Sequence, residues 1–412
     1  MHASSPEPGV RPTVVSVTKY VPYTGIAHAG GEYALQHHRA LRTAFEVTAI
    51  APATALNREA VDKGAAGPLL VLSGSGPSAS DGLKTVADVG SLLRGSSAHA
   101  WFRRALRRSP SAAALLADAD IVEFQWSEMG SLIPIARARS PRARLVVIAH
   151  DVITQRWSRA AETAQGVLKR FAYTLASTLS ARRERRTFEA ADMVVVFSEK
   201  DARLVRALAP SARPEVVRPG FALPTASSAR TVGSSPTVVF SGAMGRPDND
   251  EAARWFLQRV WPRVRAALPS ARFTVVGAHP SSALRQIAAE DPSVTVTGFV
   301  ESMDPHLDEA DVIVVPLHNG AGVKFKTIDA LLRGIPVVAT PVGAEGIERA
   351  DAIRRVTDDP DEFADAVVAA ARDSDRARES EIRDWAAGEY GLEAFSERIV
   401  ALYEELVQEG SR

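Results

Sequence analysis

The 412-residue sequence contains no cysteine, which excludes disulfide bonds and thiolate metal sites. It contains no uncharged apolar run of about 18 residues, so no segment is predicted to span a membrane. Basic and acidic residues number 49 each, so the chain has no net charge. Because a protein that binds nucleic acid through bulk charge is normally basic, this balance argues against that class. The hydrophobic content of 46% is sufficient for two or three domain cores.

The zero net charge conceals an asymmetry between the two halves of the chain. Residues 1–218 contain 29 basic and 19 acidic side chains, which leaves 20 and 30 for the remainder. A basic half and an acidic half indicate two domains with different partners. The stretch 218–237 is rich in Pro, Gly, Ser and Thr and is predicted to link them. The opening MHASSPEPGVRP lacks the apolar core of a signal peptide and is expected to form a loose tail.

Short apolar runs alternate with amphipathic segments along the chain. The runs are VVSV (14–17), VTAIAP (47–52), LLVLSG (69–74), IVEFQW (121–126), RLVVIAH (144–150), MVVVFS (193–198), TVVFSGAM (237–244), RFTVVGAH (272–279), VTVTGFV (294–300), VIVVPLH (312–318) and IPVVAT (335–340). Runs of this kind are typical of strands buried on both faces of a parallel sheet. The alternation predicts an α/β fold with two doubly wound parallel sheets, in domains 1–218 and 219–378. Residues 379–412 are predicted to form a helix that crosses back to the first domain.

An Ala-Asp pair precedes three of these runs, in ADADIVEFQW, EAADMVVVFS and DEADVIVVPL. The first includes Asp118-Ala-Asp120, which has the D-x-D spacing of a metal-binding motif. The repetition favours a simpler interpretation, in which each pair marks a connection from a helix to a strand. No metal site is predicted.

A glycine-rich turn follows the run VIVVPL and precedes a helical pattern, in HNGAGVKFKTIDALLRG (318–334). Ligands of open α/β sheets bind at the carboxyl ends of the strands. Gly320 and Gly322 allow close approach of a ligand, and a helix N-terminus favours an anion. Lys324 and Lys326 are predicted in the first helical turn, where a phosphate would balance their charge. The alternative is an ordinary loop-to-helix connection with solvated lysines.

A glycine pair occupies the equivalent place in the first domain, in TGIAHAGGEYALQHHRAL. Gly30 and Gly31 lie between the first strand and a helix, a geometry that can cradle a phosphate. His28 precedes the pair and is a weak candidate contact for an acceptor. His37 and His38 are predicted to be ordinary helix residues.

Three other strand ends carry candidate ligand-binding residues. His150 ends the strand RLVVIAH and could assist proton movement, with a plain strand-end histidine as the alternative. In SGAMGRPDND, Gly242 marks a turn and Arg246 could neutralise a diphosphate. In TPVGAEGIE, the candidate contacts are Gly343, Glu345 and Gly346.

The stretch PLHNGAGVKFKTIDALLRGIPVVATPVGAEGIE resembles the donor-binding signature of retaining glycosyltransferases of family four, the glycosyl transferases group 1. VVFSGAMGRPDNDEAARWF, FTVVGAHP and VTVTGFVESMDPHLDEADVIVVPL resemble the same family in order and spacing, and TGIAHAGGEYALQHHRAL resembles its first domain. The resemblance implies a GT-B fold, in which two Rossmann-like domains face each other across a cleft. It implies metal-independent, cofactor-free transfer of a sugar from a nucleotide-diphosphate sugar to an acceptor hydroxyl, with retained anomeric configuration.

The resemblance also implies roles for individual residues. Asp329, which shares a helix face with Lys326, would hold the nucleotide ribose, and His150 would face the sugar or the acceptor. Arg246 and Lys326 would stabilise the departing diphosphate. The family commonly carries a glutamate at the position of Ala321, so this departure leaves two alternatives open. One is a non-catalytic GT-B relative that binds a sugar or nucleotide, and the other is a GT-B sugar-nucleotide epimerase.

The implied partners are a nucleotide-sugar donor and a saccharide, lipid-linked or small-molecule acceptor, in polysaccharide or glycoconjugate biosynthesis. No nucleic-acid partner is predicted. The basic segments 101–109 and 169–186 mix arginines with apolar residues, which suits either an anionic membrane surface or a solvated helix flank. The expected location is cytoplasmic, with peripheral contact at the inner membrane face as an open alternative.

Overall fold

The computed structural model describes residues 11–26, 29–73, 100–164, 166–224, 235–373 and 375–410. The chain divides into two compact units, one formed by Met1–Gly220 with Leu392–Arg412 and the other by Phe221–Gly391. Each unit contains one parallel β-sheet covered by helices. The predicted α/β fold with two parallel sheets is therefore confirmed.

The first unit contains a seven-stranded sheet. Its strands are β1 (Thr13–Val17), β2 (Glu46–Pro52), β3 (Leu69–Leu72), β4 (Ile121–Gln125), β5 (Arg144–Ile148), β6 (Met193–Val196) and β7 (Pro214–Val216). They pair in the order β3-β2-β1-β4-β5-β6-β7, and all neighbours are parallel. The strand order reverses between β1 and β4, so the carboxyl ends of these strands flank the switch point at which such sheets bind ligands.

Helices cover both faces of this sheet. They are Ala29–Leu41, Ala55–Asp62, Ala100–Arg108, Pro110–Ala117, Ile133–Arg139, Ile153–Thr163, Val167–Ala190, Glu199–Leu208 and Leu392–Gly410, with a 3-10 turn at Met129–Leu132. Fully buried side chains such as Phe102, Phe124 and Phe188 join them to the strands. Within the described ranges, no helix has both the length and the apolar composition needed to cross a bilayer.

The second unit contains a six-stranded parallel sheet. Its strands are β8 (Thr237–Ser241), β9 (Arg272–Val276), β10 (Val294–Val296), β11 (Val312–Val315), β12 (Val337–Ala339) and β13 (Arg355–Val356), in the order β10-β9-β8-β11-β12-β13. The switch point lies between β8 and β11.

The helices of the second unit are Pro247–Trp255, Trp261–Ala267, Ser282–Ala289, Asp304–Asp308, Phe325–Leu332, Pro360–Arg372 and Arg376–Tyr390. A π-helical turn, Phe256–Val260, joins the first two, and a 3-10 turn spans Ala350–Ala352. Pro262 explains the π-helical turn, because proline lacks the N–H of a regular helix and its ring crowds the preceding turn.

The aspartates of the three Ala-Asp pairs each accept a hydrogen bond from a backbone N–H at the start of a neighbouring strand. The bonds are Thr13 N to Asp120 Oδ2 (2.8 Å), Leu145 N to Asp192 Oδ2 (2.7 Å) and Thr237 N to Asp311 Oδ2 (2.8 Å). A carboxylate at this place satisfies a donor that the sheet leaves without a partner. Each pair lies between a helix and a strand, as the simpler interpretation predicted.

The predicted helical segment 379–412 consists of two helices that belong to different units. Arg376–Tyr390 packs on Phe325–Leu332, and Leu392–Gly410 packs on Ala29–Leu41. The units therefore divide at Gly391 and not at residue 378. Gly391 suits this junction because an added Cβ would lie 2.4 Å from the carbonyl oxygen of Ala387, so a side chain would not fit.

Candidate functional site

In the second unit, Lys326 lies against the loop that leaves β8. Its Nζ donates a hydrogen bond to Asn249 Oδ1 (2.9 Å), and Asn249 Nδ2 donates to the carbonyl oxygen of Ala243 (2.9 Å). Through these two hydrogen bonds, the side-chain amide of Asn249 links the ammonium of Lys326 to the loop after β8. A Cβ on Gly242 would lie 2.6 Å from Lys326 Nζ, so only glycine permits this approach. The sequence analysis proposed Gly242 and Lys326 as candidate residues but did not single out Asn249.

The ammonium of Lys326 lies among other positive charges. It is 4.4 Å from the ring centroid of Phe240, and the side chain is half-buried. Burial, together with the charges of Arg246 and Lys324, lowers the pKa of Lys326 to about 7. Arg246 is the N-cap residue of helix Pro247–Trp255, and its side chain is exposed. A bound anion would stabilise the protonated form of Lys326, because it would offset this repulsion.

Lys324 occupies a different environment from Lys326. It is the N-cap residue of helix Phe325–Leu332 and not part of its first turn. Its Nζ donates to the carbonyl oxygens of Ala321 (3.2 Å) and Gly322 (2.6 Å) and lies 3.3 Å from Glu345 Oε2. Only 9% of the Lys324 side chain and 8% of the Glu345 side chain are exposed. This buried ion pair joins the start of helix Phe325–Leu332 to the loop after β12. Lys324 and Glu345, which were both predicted to contact a ligand, are therefore also bound to each other.

The loop after β12 approaches the carboxyl end of β11 very closely at Gly343. A Cβ there would lie 2.1 Å from the carbonyl oxygen of Val315. The Gly343 N–H donates to Thr340 Oγ1 (3.1 Å), and its carbonyl accepts from Thr327 Oγ1 (2.8 Å). The other candidate glycines of this edge have positive φ: Gly320 (122°), Gly322 (69°) and Gly346 (84°). The backbone thus lines the carboxyl end of β11 and β12 with little side-chain bulk.

Asp329 lies in the second turn of helix Phe325–Leu332 and accepts a hydrogen bond from Arg333 Nε (3.1 Å). Burial raises the pKa of Asp329, although the Arg333 guanidinium opposes this rise. Arg333 also binds Asp308 (2.5 Å) and Asp304. The predicted ribose-binding carboxylate therefore belongs to a cluster of three aspartates around one arginine, which the sequence did not reveal.

In the first unit, the glycine pair faces the carboxyl end of β4 and β5. Gly30 and Gly31 lie inside the first turn of helix Ala29–Leu41. The sequence analysis had predicted them in the connection that precedes the helix. A Cβ on Gly30 would lie 3.3 Å from Trp126 Nε1 and 3.4 Å from His150 Nδ1. Trp126, which has a positive φ of 72°, stacks on His150 with ring centroids 4.4 Å apart. His28 lies outside the described residues.

A buried polar network extends from His150 into the core of the first unit. His150 Nε2 lies 3.3 Å from Gln125 Oε1, and Gln125 Nε2 donates to Glu123 Oε1 (3.1 Å). Glu123 Oε2 lies 2.8 Å from His37 Nε2 and accepts a hydrogen bond from the hydroxyl of Tyr403. His37 lies in helix Ala29–Leu41, as predicted, and the sequence did not show that it is completely buried in this network.

Burial alone would raise the pKa of Glu123, but the charge and hydrogen bond of His37, together with hydrogen bonds from Ser16 and Tyr403, outweigh it and lower the pKa. The network therefore holds an ionised carboxylate in the core. It ties helix Leu392–Gly410, through Tyr403, to the strand that presents His150.

Part of the second unit matches a family model. The family model described as "Glycosyl transferases group 1" matches residues 235–373. A Klebsiella pneumoniae protein, "Uncharacterized 44.6 kDa protein in cps region", is 29% identical over 116 residues, which cover 26% of this chain and 30% of that protein. The chain thus spans less than a third of the curated relative that it matches.

Solved structures with low sequence identity share the fold over most of the chain. Sucrose-phosphate synthase from Thermosynechococcus elongatus has a TM-score of 0.67 at 17% identity, over 96% of this chain and 100% of that chain. HepE of Anabaena in complex with UDP-glucose has a TM-score of 0.65 at 12% identity, over 95% and 99%. A structure described as trehalose-6-phosphate from E. coli bound with UDP-2-fluoro glucose has a TM-score of 0.62 at 12% identity, over 96% and 99%. The chain therefore has the GT-B fold, and its residues 235–373 match the model of the glycosyl transferases group 1 family.

Proposed function

We propose that this protein transfers a sugar from a nucleotide-diphosphate sugar to an acceptor hydroxyl, with retained configuration and without a metal ion. The observation that carries this proposal is the position of Lys326. Its ammonium is held beside the backbone of Gly242, and the described charges that act on it, Arg246 and Lys324, are positive. A diphosphate bound there would receive charge-assisted hydrogen bonds and would offset the repulsion among these cations.

The proposed chemistry requires the bond between the sugar and the diphosphate to break. Negative charge develops on the departing diphosphate, and Lys326 and Arg246 stabilise it most strongly in the transition state. The acceptor oxygen forms its bond to the sugar on the face that the diphosphate leaves, which retains the configuration, and the proton of the acceptor hydroxyl passes to an oxygen of the departing diphosphate. Fixed cations thus take the role that a metal ion has in other sugar transfers.

Other residues have proposed roles in binding. Asp329 would accept hydrogen bonds from the ribose hydroxyls, and His150 would face the sugar or the acceptor hydroxyl. Gly30 and Gly31, at a helix N-terminus, would approach the donor phosphates. We propose UDP as the first nucleotide to test, because two structures with this fold contain UDP-sugars. The proposed acceptor is a saccharide, a lipid-linked molecule or a small molecule, in polysaccharide or glycoconjugate biosynthesis.

A thermal-shift screen of the intact chain with UDP, GDP, ADP, TDP and their sugar derivatives tests donor binding. We expect at least one to raise the unfolding temperature, because a ligand that binds only the folded form stabilises it by about 2.7 kcal/mol at 100 times its Kd. CMP-sugars, which lack the diphosphate, are the matched control. If no diphosphate compound raises the unfolding temperature, the proposed donor site does not exist.

The reaction products then separate transfer from the alternatives. Slow nucleotide release in the absence of an acceptor is expected from a transferase, and proton NMR of the transferred sugar should show the configuration of the donor. Binding without nucleotide release would favour the non-catalytic alternative, for which Ala321 in place of a carboxylate is the specific observation. Conversion of the sugar nucleotide into an isomer would identify an epimerase.

A further inference from the structure

The helical hairpin Ile153–Thr163 and Val167–Ala190 leaves much of its surface outside the core of the first unit. The two helices pack extensively on each other. The first helix has no buried residue, and the buried residues of the second begin only at Ser180. The beginning of the second helix therefore presents its side chains to solvent or to a partner.

Four large apolar side chains of the second helix are exposed. The exposed fractions are 86% for Val167, 86% for Leu168, 68% for Phe171 and 46% for Leu175. At about 100° per residue, their spacing confines them to one stripe about 100° wide and about 12 Å long. A contiguous apolar stripe of this kind on a solvent-exposed surface indicates an interaction site.

Arginines continue the same stripe along the helix. By the same helical spacing, Arg182, Arg185 and Arg186 fall within the arc of the apolar side chains, and all three are exposed. Glu189 falls within the same arc and pairs with Arg185 (Nε to Oε1, 2.9 Å), so Arg182 and Arg186 carry most of the uncompensated charge. Residues 153–190, which span the whole hairpin, contain eight Lys or Arg and three Glu. One of those glutamates, Glu184, is buried and accepts hydrogen bonds from the N–H groups of Ile153 (2.7 Å) and Thr154 (2.9 Å). The exposed surface is therefore strongly basic, and Glu184 fixes the two helices to each other.

The other basic segment of the sequence behaves differently. Helix Ala100–Arg108 buries Phe102 and Leu106 in the core, and Arg103 donates to the carbonyl oxygen of Ser131 (2.8 Å). Arg104 and Arg107 remain on its solvent side. This helix is a solvated flank with its apolar face already covered, so the two basic segments are not equivalent.

We propose that the stripe of Val167, Leu168, Phe171, Leu175, Arg182, Arg185 and Arg186, here called the hairpin stripe, rests on an anionic phospholipid bilayer. The apolar side chains enter the boundary of the acyl chains, and the arginines bind headgroup phosphates. Apolar insertion and basic charge together provide the two signals that stable peripheral binding requires. Charge complementarity favours this partner over a second copy of the chain, because an isologous dimer would bring two basic surfaces together. The proposal is independent of the donor chemistry.

A fluorescent probe tests insertion directly, because the chain has no cysteine that would compete for the label. Phe171→Cys carries an environment-sensitive dye, and Arg104→Cys on the solvated helix is the matched control. With vesicles of phosphatidylcholine and phosphatidylglycerol, we expect a blue-shifted and brighter emission from the Phe171→Cys probe alone. Pure phosphatidylcholine should produce no change. An unchanged emission on the mixed vesicles would overturn the proposal.

Vesicle flotation of the intact chain tests the arginines. Each arginine near the surface contributes a factor of about 5 to binding, so Arg182→Glu with Arg186→Glu should weaken binding at least about 25-fold. The same charge change in Arg104→Glu with Arg107→Glu should have a much smaller effect, and circular dichroism should show both variants folded. Equal weakening of vesicle binding in the two double variants would overturn the assignment of binding to the hairpin stripe. A dimer in solution that Phe171→Ser dissociates would also overturn it, because a second copy would then cover the stripe.

Discussion

Replacing Lys326 with methionine is expected to lower the rate of sugar transfer by a factor of about 10²–10³, the usual effect of removing one preorganised donor. Methionine keeps an apolar stem against the ring of Phe240 but removes the ammonium that Asn249 holds. Because removing the charge also removes its repulsion with Arg246 and Lys324, we expect the unfolding temperature to remain nearly unchanged. Lys63→Met, at an exposed lysine paired with Glu59, is the matched control and should transfer sugar normally.

The pKa of Lys326 adds a second readout to this prediction. A pKa of about 7 means that the free protein carries a mixture of ammonium and amine at neutral pH. A bound diphosphate favours the ammonium, so binding should take up a proton near pH 7 and should weaken as the pH rises further. Calorimetry in two buffers of different ionisation enthalpy measures this uptake. Transfer by Lys326→Met within a factor of a few of the normal rate, or undiminished proton uptake in it, would remove Lys326 from the mechanism.

Replacing His37 with leucine is expected to destabilise the first unit by about 3–5 kcal/mol, because it leaves Glu123 as an unpaired buried charge. For a unit of this size, such a loss corresponds to a fall of roughly 10 °C in unfolding temperature. Differential scanning calorimetry measures the change. A loss below about 1 kcal/mol would show that the ion pair is not formed.

His38 is the matched control for this experiment. It is the adjacent residue, it is also buried, and in the described part of the chain neither ring nitrogen has a hydrogen-bond partner. His38→Leu should therefore be neutral or stabilising. Burial lowers the pKa of His38 to about 4, so the unfolded chain takes up its proton first as the pH falls below 6.5. The loss of stability between pH 6.5 and 4 should accordingly be smaller in His38→Leu.

Glu123 affects the stability of the first unit at more acidic pH than His38 does. The folded state holds its pKa below the usual value, so its contribution is fully present above about pH 4.5. That contribution is lost as the pH falls through the lower folded-state pKa, where the carboxylate in the folded protein is finally protonated. His37→Leu should weaken this acid dependence, because it removes the partner that lowers the pKa.

The pattern of apolar runs was sufficient to predict the fold because most strands are buried on both faces. All eleven runs that the sequence identified became strands, with ends that differ by a few residues. The two strands that it missed, β7 and β13, lie at sheet edges and are only three and two residues long. Segments of that length contain no measurable periodicity, and only their neighbours in the sheet define them.

The sequence was sufficient to select candidate residues at strand ends but not to predict the contacts among them. The positions of strand ends and glycines in the sequence were sufficient to select Gly242, Lys326 and Gly343 as candidates, because their placement depends on local geometry. The different environments of Lys324 and Lys326 depend on Glu345 and Asn249, which are distant in sequence. A signal for the buried network was present, since Glu123 is a charged residue inside an apolar strand and such a residue needs a buried partner.

The central claim, that the second unit binds a diphosphate through Lys326, is tested most directly by a crystal structure of the intact chain with UDP or a UDP-sugar. We expect a phosphate oxygen within hydrogen-bond distance of Lys326 Nζ, beside the backbone of Gly242. A well-ordered nucleotide whose phosphates lie elsewhere, with Lys326 bound only to Asn249, would contradict it.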